Sequence, residues 1–321
     1  MTRIIEIESS GISSINLSSV KLSYQIFGKP LGETPVVLIN HALTGNSSVL
    51  GEKGWWNDIV GEKKVIDTRN YTVLAFDLNG NQYNPEETSL NGDQVFDLHQ
   101  IATLQLKALS LLRINRLYAI VGGSLGGGLA WEIWAQSPNI SEHIVSIASH
   151  WQSSSWVQAS CQIQKEAIQI SSSNFDLVRK FSMFFYRNPI NFASKFQDDY
   201  DAVEAGKKAV SWLNYHGEAL SKRMTSSAYL NVLHFLSSIN AKRDPKAFEL
   251  ALKSTNTKFC LVGFNSDILF PIADIHKCKD VLTNSGVEVR THEIDSDFGH
   301  DAFLIEHEKL SKVIQPIFNK K

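Results

Sequence analysis

The sequence predicts an α/β protein: a mostly parallel central sheet with helices on both faces and an inserted helical cap. Three observations predict it. Short apolar runs alternate with longer helical patterns in the first half, residues 151–243 carry helical patterns without strands, and the strand signal then returns. Strand and helix alternate in this way when crossovers cover both faces of a parallel sheet.

The first strand is Pro35-Val36-Val37-Leu38-Ile39, a short, continuous apolar run rich in branched side chains. Tyr71-Thr72-Val73-Leu74-Ala75-Phe76 and Leu117-Tyr118-Ala119-Ile120-Val121 read the same way. Between those two, residues 101–112 bring Leu104, Leu106, Leu109, Leu111 and Leu112 together, which suits a buried helix. A further helix is expected just after Ser124 and a strand over residues 143–148. Residues 175–187 carry Phe181, Met183, Phe184 and Phe185, and residues 202–224 are amphipathic, so both read as helices. Strands resume at Lys258-Phe259-Cys260-Leu261-Val262-Gly263 and near residues 287–294, and a last helix is expected over 301–318. Two units follow: residues 1–150 with 244–321 as the core domain, and 151–243 as a helical cap. The cap is expected over the carboxyl ends of the strands, where open α/β sheets bind ligands.

Composition narrows the function classes. The chain has 321 residues, 43% of them hydrophobic and 20% charged, with a net charge of -2. That balance carries no nucleic-acid footprint and no polybasic membrane surface. Cys161, Cys260 and Cys278 lie far apart without metal-ligand spacing, so buried free thiols are expected and neither disulfides nor structural zinc. The N-terminal segment lacks the apolar core of a signal peptide, and no apolar run reaches the length of about 20 residues that spans a bilayer. A cytoplasmic setting is expected.

The chemistry centres on Gly122-Gly123-Ser124-Leu125-Gly126, a G-x-S-x-G between an apolar strand and a helix. Such a turn exposes a serine hydroxyl above the sheet, and small flanking residues permit the tight backbone approach. A glycine-rich turn or a phosphate loop would read alike. Serine needs a base, and the base an orienting acid. Asp267 follows the strand ending at Gly263, and His300 lies between the last strand and the last helix. Taken singly, Asp267 reads equally as a turn residue and His300 as a helix cap. Together they stand in the order Ser, Asp, His that the α/β-hydrolase fold uses. The oxyanion donors expected are the N–H of Leu125 and, from the loop Asn40-His41-Ala42-Leu43-Thr44-Gly45, that of Leu43, with Ala42 one step away. A structural role is expected for His41.

These segments resemble the homoserine O-acetyltransferase family. The matching stretches are Asn40-His41-Ala42-Leu43-Thr44-Gly45, Gly54-Trp55-Trp56, Val65-Ile66-Asp67-Thr68 and Gly122-Gly123-Ser124-Leu125-Gly126-Gly127. They continue through Met183-Phe184-Phe185-Tyr186-Arg187, Tyr215-His216-Gly217-Glu218, Asp267-Ile268-Leu269-Phe270-Pro271 and Gly299-His300-Asp301-Ala302-Phe303-Leu304. The resemblance spans nearly the whole chain in collinear order. It implies ping-pong transfer from acyl-CoA, as co-substrate, through Ser124 to an amino-acid hydroxyl in methionine biosynthesis, with no bound metal or cofactor. It further implies Arg187 for the acceptor's carboxylate, Asp301 for its ammonium, Tyr215 as a substrate hydrogen-bond donor, and a homodimer through the cap helices. The alternatives are a cap-surface role for Arg187, a helix-terminal acid at Asp301 and a core role for Tyr215. The chain departs from the family over residues 77–85, which keep little of its glycine-rich pattern, and around His99-Gln100-Ile101-Ala102. Those departures keep three alternatives open: another hydroxyl amino acid as acceptor, succinyl-CoA as donor, and ester hydrolysis; a binding protein without catalysis is a separate reading of the same fold, against which the complete triad stands.

Overall fold

Eight strands form one sheet in the order β1-β2-β6-β3-β7-β8-β9-β10. They are β1 (Arg3–Glu8), β2 (Ser19–Gly28), β3 (Val36–Asn40), β6 (Thr72–Phe76), β7 (Leu117–Gly123), β8 (Ser141–Ile147), β9 (Lys258–Phe264) and β10 (Val289–Ile294), while β4 (Val60–Gly61) and β5 (Ile66–Asp67) pair separately. From β6 to β10 every pairing is parallel; β1 and β2 add an antiparallel edge. The structure is a computed structural model that describes residues 1–10, 12, 17–84, 86–87, 96–198 and 200–319.

Side chains of a strand alternate between faces, so continuous apolar runs are needed where both faces are covered. Leu38, Ile120, Ile144 and Leu261 enter one core with Leu104 of α1 (Leu98–Leu111) and Trp131 of α2 (Leu125–Gln136). Their neighbours Val37, Val121, Val145 and Val262 enter the other, closed by Trp56, Ile59 and the Leu310, Ile314 and Phe318 face of α10 (His307–Phe318). The predicted last helix is shorter than expected: a 3₁₀ turn over Gly299–Leu304 precedes α10. Side chains three apart eclipse in such a turn, and His300 and Phe303 both point inward.

Between β8 and β9 the chain is helical: α3 (Ser155–Ile170), α4 (Phe175–Tyr186), α5 (Pro189–Phe196), α6 (Ala202–Ser221), α7 (Ser226–Ser238) and α8 (Pro245–Ser254). Ser154, Asn188, Asp201, Thr225 and Asp244 each cap a helix N-terminus by accepting backbone N–H bonds, at about 1 kcal/mol apiece. The segment leaves and rejoins the sheet layer at one place. Ser153 N–H donates to Ile239 O at 2.9 Å and Ala241 N–H to Trp151 O at 2.8 Å. Buried Glu132 of α2 accepts Asn240 N–H at 2.7 Å. The three cysteines are free and buried, and no described helix is long and apolar enough to cross a membrane.

Candidate active site

Strand β7 turns into α2 at Ser124, whose φ of 56° and ψ of -124° lie where side chains are rarely tolerated. The turn is held by Ser124 N–H to Ile147 O at 2.9 Å. Two glycines make it possible. A Cβ on Gly122 would fall 2.2 Å from the Gly126 carbonyl, and one on Gly126 would fall 2.3 Å from Asn40 O. Strand, helix and the loop after β3 therefore pack backbone to backbone.

The turn after β9 and the 3₁₀ turn after β10 complete the relay. Ser124 Oγ donates to His300 Nε2 at 2.7 Å, and His300 Nδ1 donates to Asp267 Oδ2 at 2.7 Å. Asp267 Oδ1 is itself fixed by Leu269 and Phe270 N–H at 2.8 and 2.9 Å. The imidazole stacks on Phe270 with centroids 5.6 Å apart. Burial would lower its pKa, but the charge and hydrogen bond of Asp267, with the charge of Asp301, outweigh burial and raise it. Ser266 ties the two loops together, accepting Gly299 N–H at 3.0 Å and donating to Ser296 O. The arrangement can deprotonate a hydroxyl at Ser124 and hold the imidazolium that results.

Ser124 and His300 border a cavity of about 60 Å³ whose wall includes Leu43, Arg179, Tyr186, Leu236 and Asp301. A larger surface depression of about 1170 Å³, between residues 58–70 and α10, contains no member of the relay. Leu43 N–H, in the loop after β3, and Leu125 N–H, at the first position of α2, have no hydrogen-bond acceptor among the described residues. Both donors are thus free for an oxyanion. His41 is occupied otherwise: its Nδ1 bonds Ala42 O at 2.8 Å, and burial lowers its pKa.

Asp301 lines the cavity, whereas Arg187 stands outside that wall, its Nε 3.0 Å from Asp301 Oδ2 and its guanidinium 5.5 Å from the Trp212 ring centre. Burial raises the Asp301 carboxyl, opposed by the charges of Arg187, Arg179 and His300. Tyr215 is not brought to the site. Helix α6 turns Ala205, Gly217 and Leu220 inward, which leaves Tyr215 outward and 67% exposed. The residue α6 offers from that side is Trp212.

The sequence reading missed Arg179 and Tyr186, which lie seven apart on α4 and so share a face with buried Met183. A charged residue on an otherwise buried helical stripe was the available signal. It also missed a brace at the divergent loop. Tyr83 O–H and Arg223 Nη1 both donate to Thr44 O, at 2.9 and 3.1 Å, and Asn231 Nδ2 of α7 donates to Gly80 O at 3.1 Å. Pro85, at the end of that loop, lies outside the described residues.

Relatives point the same way as this geometry. Homoserine O-acetyltransferase of Methanococcus vannielii is 27% identical, over 96% of this chain and 70% of its own length. That of Haemophilus influenzae is 28% identical, over 93% of this chain and 92% of its own. Among solved structures, homoserine O-acetyltransferase from Bacillus anthracis superposes with a TM-score of 0.86 at 19% identity, over 100% of this chain and 98% of that one. Esterase E22 superposes equally well, with a TM-score of 0.85 at 19% identity over 99% and 100% of the two chains. At such identities a structural likeness speaks for the fold alone. The model of the alpha/beta hydrolase fold family matches residues 35–306, most of the chain from β3 to the end of the 3₁₀ turn, and the protein belongs to that family.

Proposed function

We propose that the chain is an acyl-CoA-dependent O-acyltransferase that moves the acetyl group of acetyl-CoA to the hydroxyl of L-homoserine through an ester on Ser124. The observation that carries this reading is the Ser124–His300–Asp267 relay, opening on a small cavity with an acidic side chain in its wall. His300 Nε2 takes the Ser124 proton as Oγ attacks the thioester carbonyl, and the oxyanion is met by Leu43 and Leu125 N–H. Collapse passes the proton to the CoA sulfur, and CoA leaves. His300 then takes the acceptor's hydroxyl proton, the acceptor oxygen attacks the ester, and the second collapse returns the proton to Ser124 Oγ.

Asp301 is placed to take the acceptor's ammonium, and Arg187 to keep that carboxylate charged. We assign residues 151–243 as a cap, supported by the hydrogen-bonded meeting of its ends and by the Arg179, Tyr186 and Leu236 side chains it lends the cavity. The apolar side chains it exposes, among them Leu177, Phe181 and Phe184, suit a second copy of this chain. Free, buried cysteines accord with work in the cytoplasm.

A second reading, ester hydrolysis, runs through the same acyl-enzyme, with water attacking the Ser124 ester in place of an amino-acid hydroxyl. Water exclusion and acceptor affinity decide between the two, and a cavity of about 60 Å³ suits a short acyl group. The test follows CoA release from acetyl-CoA and succinyl-CoA with homoserine, serine or neither. Turnover that needs homoserine is expected; equal release without any acceptor means hydrolysis.

A further inference from the structure

Helix α2 begins at the Ser124 turn and carries, about two turns further on, a charged group that the relay does not use. Glu132 is fully buried. Its Oε1 accepts the Asn240 N–H at 2.7 Å, from the chain just beyond α7, and its Oε2 stands 3.2 Å from His99 Nδ1 on α1. Arg243 completes the set. Its Nη2 lies 3.8 Å from Glu132 Oε1, and its Nη1 donates at 2.9 Å to Asp97, which caps α1. A carboxylate taken out of water is costly, and an apolar side chain packed in its place is often no less stable. Stability alone is thus a weak reason for Glu132, and its partners point to register instead. A Cβ on Gly128 would fall 2.5 Å from Ile239 Cδ1, so α2 and the end of the inserted segment touch without room to slide. Ser153 Oγ donates to Leu236 O, one turn before Asn240, and the Leu236 side chain borders the cavity.

We propose that Glu132 is a positioning residue: by holding the Asn240 N–H it fixes the Leu236 wall over Ser124, and so sets whether the acetyl-enzyme meets an amino acid or water. The two half-reactions lean on different parts of the chain. Ser124, Asp267, His300, Leu43 and Leu125 all stand outside residues 151–243, whereas Arg179, Tyr186 and Leu236 of the cavity wall come from within them. A shift of that wall therefore spares attack on the thioester and disturbs the fit of the acceptor. A misplacement of about 1 Å, made far from the chemistry, can cost about 100-fold. The inference rests on the reading that residues 151–243 form a cap and that the acceptor is an amino acid.

The experiment uses the full chain as wild type, Glu132→Leu, Glu132→Asp and Glu132→Gln. Acetylation of Ser124 is followed as the burst of CoA released from acetyl-CoA without acceptor. The fate of the acetyl group is followed as O-acetylhomoserine against acetate, with homoserine held below its KM. Glu132→Leu is expected to lower that ratio about tenfold, with a burst rate within about twofold of wild type. Glu132→Asp, one methylene short of Asn240, should lower the ratio about threefold. Glu132→Gln keeps an oxygen for that N–H and should restore the ratio to within about twofold. A purely structural role would lower the burst amplitude with the folded fraction and leave the ratio alone, because each active molecule sets it independently. The proposal is overturned if the ratio holds in Glu132→Leu, if the burst rate falls in step with it, or if Glu132→Gln lowers it as far as Glu132→Leu. Should Glu132→Leu fail to fold, an unchanged ratio in Glu132→Asp overturns the proposal instead. Wild-type CoA release that ignores homoserine would sink the transferase reading and this proposal with it. Homoserine-dependent turnover with a constant ratio across the variants would sink this proposal alone.

Discussion

Two carboxylates on either side of His300 set the pH at which Ser124 loses its base. The histidine's pKa is raised above the ordinary 6.5, with Asp301 contributing alongside Asp267. The imidazolium is therefore favoured in the folded state, and the free base disappears as pH falls, so the acid limb of kcat/KM should lie above 6.5. For stability the sign is opposite: this group's contribution is fully present below 6.5 and fades as pH rises through the raised value. Asp301→Asn should move the acid limb of Ser124 acetylation to lower pH; a limb that stays put would mean His300 does not feel that charge. Ser124→Ala should abolish acyl-enzyme formation, and Asp267→Asn should slow it about 10⁴-fold, with the fold intact. At this scale the relay was legible because each member sits in a short local pattern at the end of a strand. Arg179 was not, because its meaning depends on what two helices and a loop place around it. Tyr215 was misplaced for a related reason: a match in sequence does not say which way a helix face turns.

Loops and strands show a second pattern. The loop after β3, proposed as the source of one oxyanion donor, is held at Thr44 O by Tyr83 and Arg223 from two directions. Tyr83→Phe should cost about 1 kcal/mol in urea unfolding, and about tenfold in kcat if the Leu43 amide drifts from its place. An unchanged kcat would show that Arg223 suffices. Beneath that loop, Ser23 bonds both Asp77 and Glu87, and burial, opposed by the Ser23 hydrogen bond and aided by the Asp77 charge, pushes the Glu87 carboxyl from 4.5 up to about 7. Folding thus favours protonated Glu87, and its contribution is fully present below 4.5 and lost as pH rises through about 7. Wild type should lose about 3 kcal/mol of stability across that window which Glu87→Gln does not lose. Parallel pH slopes for the two proteins would contradict this. The central strands were legible from continuous apolar runs. The edge pair β1 and β2 was not, since its buried residues form no continuous apolar run: polar Ser23 and Gln25 are buried beside Val20, Leu22 and Tyr24. The departure at residues 77–85 was visible, but its role as a brace emerges only from contacts between residues far apart in the chain.

For the whole molecule, the exposed apolar side chains fall on a few helices. Leu177, Phe181 and Phe184 on α4 and Val203, Val210 and Tyr215 on α6 remain open to solvent. Leu177, Phe181 and Phe184, spaced four and three apart, share one face of α4, and apolar side chains gathered on one exposed face suit an interaction site. A particle of twice the chain's 35.9 kDa is expected in sedimentation, and Phe181→Ser with Phe184→Ser should reduce it to one copy. Two copies persisting in that variant would place the contact elsewhere.

The meeting of Trp151 with Ala241 and of Ser153 with Ile239 has a consequence for how such proteins diversify. A segment that enters and leaves through one doorway can be exchanged whole, without disturbing the order in which the strands assemble. Ser124, Asp267 and His300 lie outside the doorway, and Arg179 and Arg187 lie inside it. Lineages, or designers, could thus trade one acceptor for another by replacing a single cassette while inheriting the reaction unchanged.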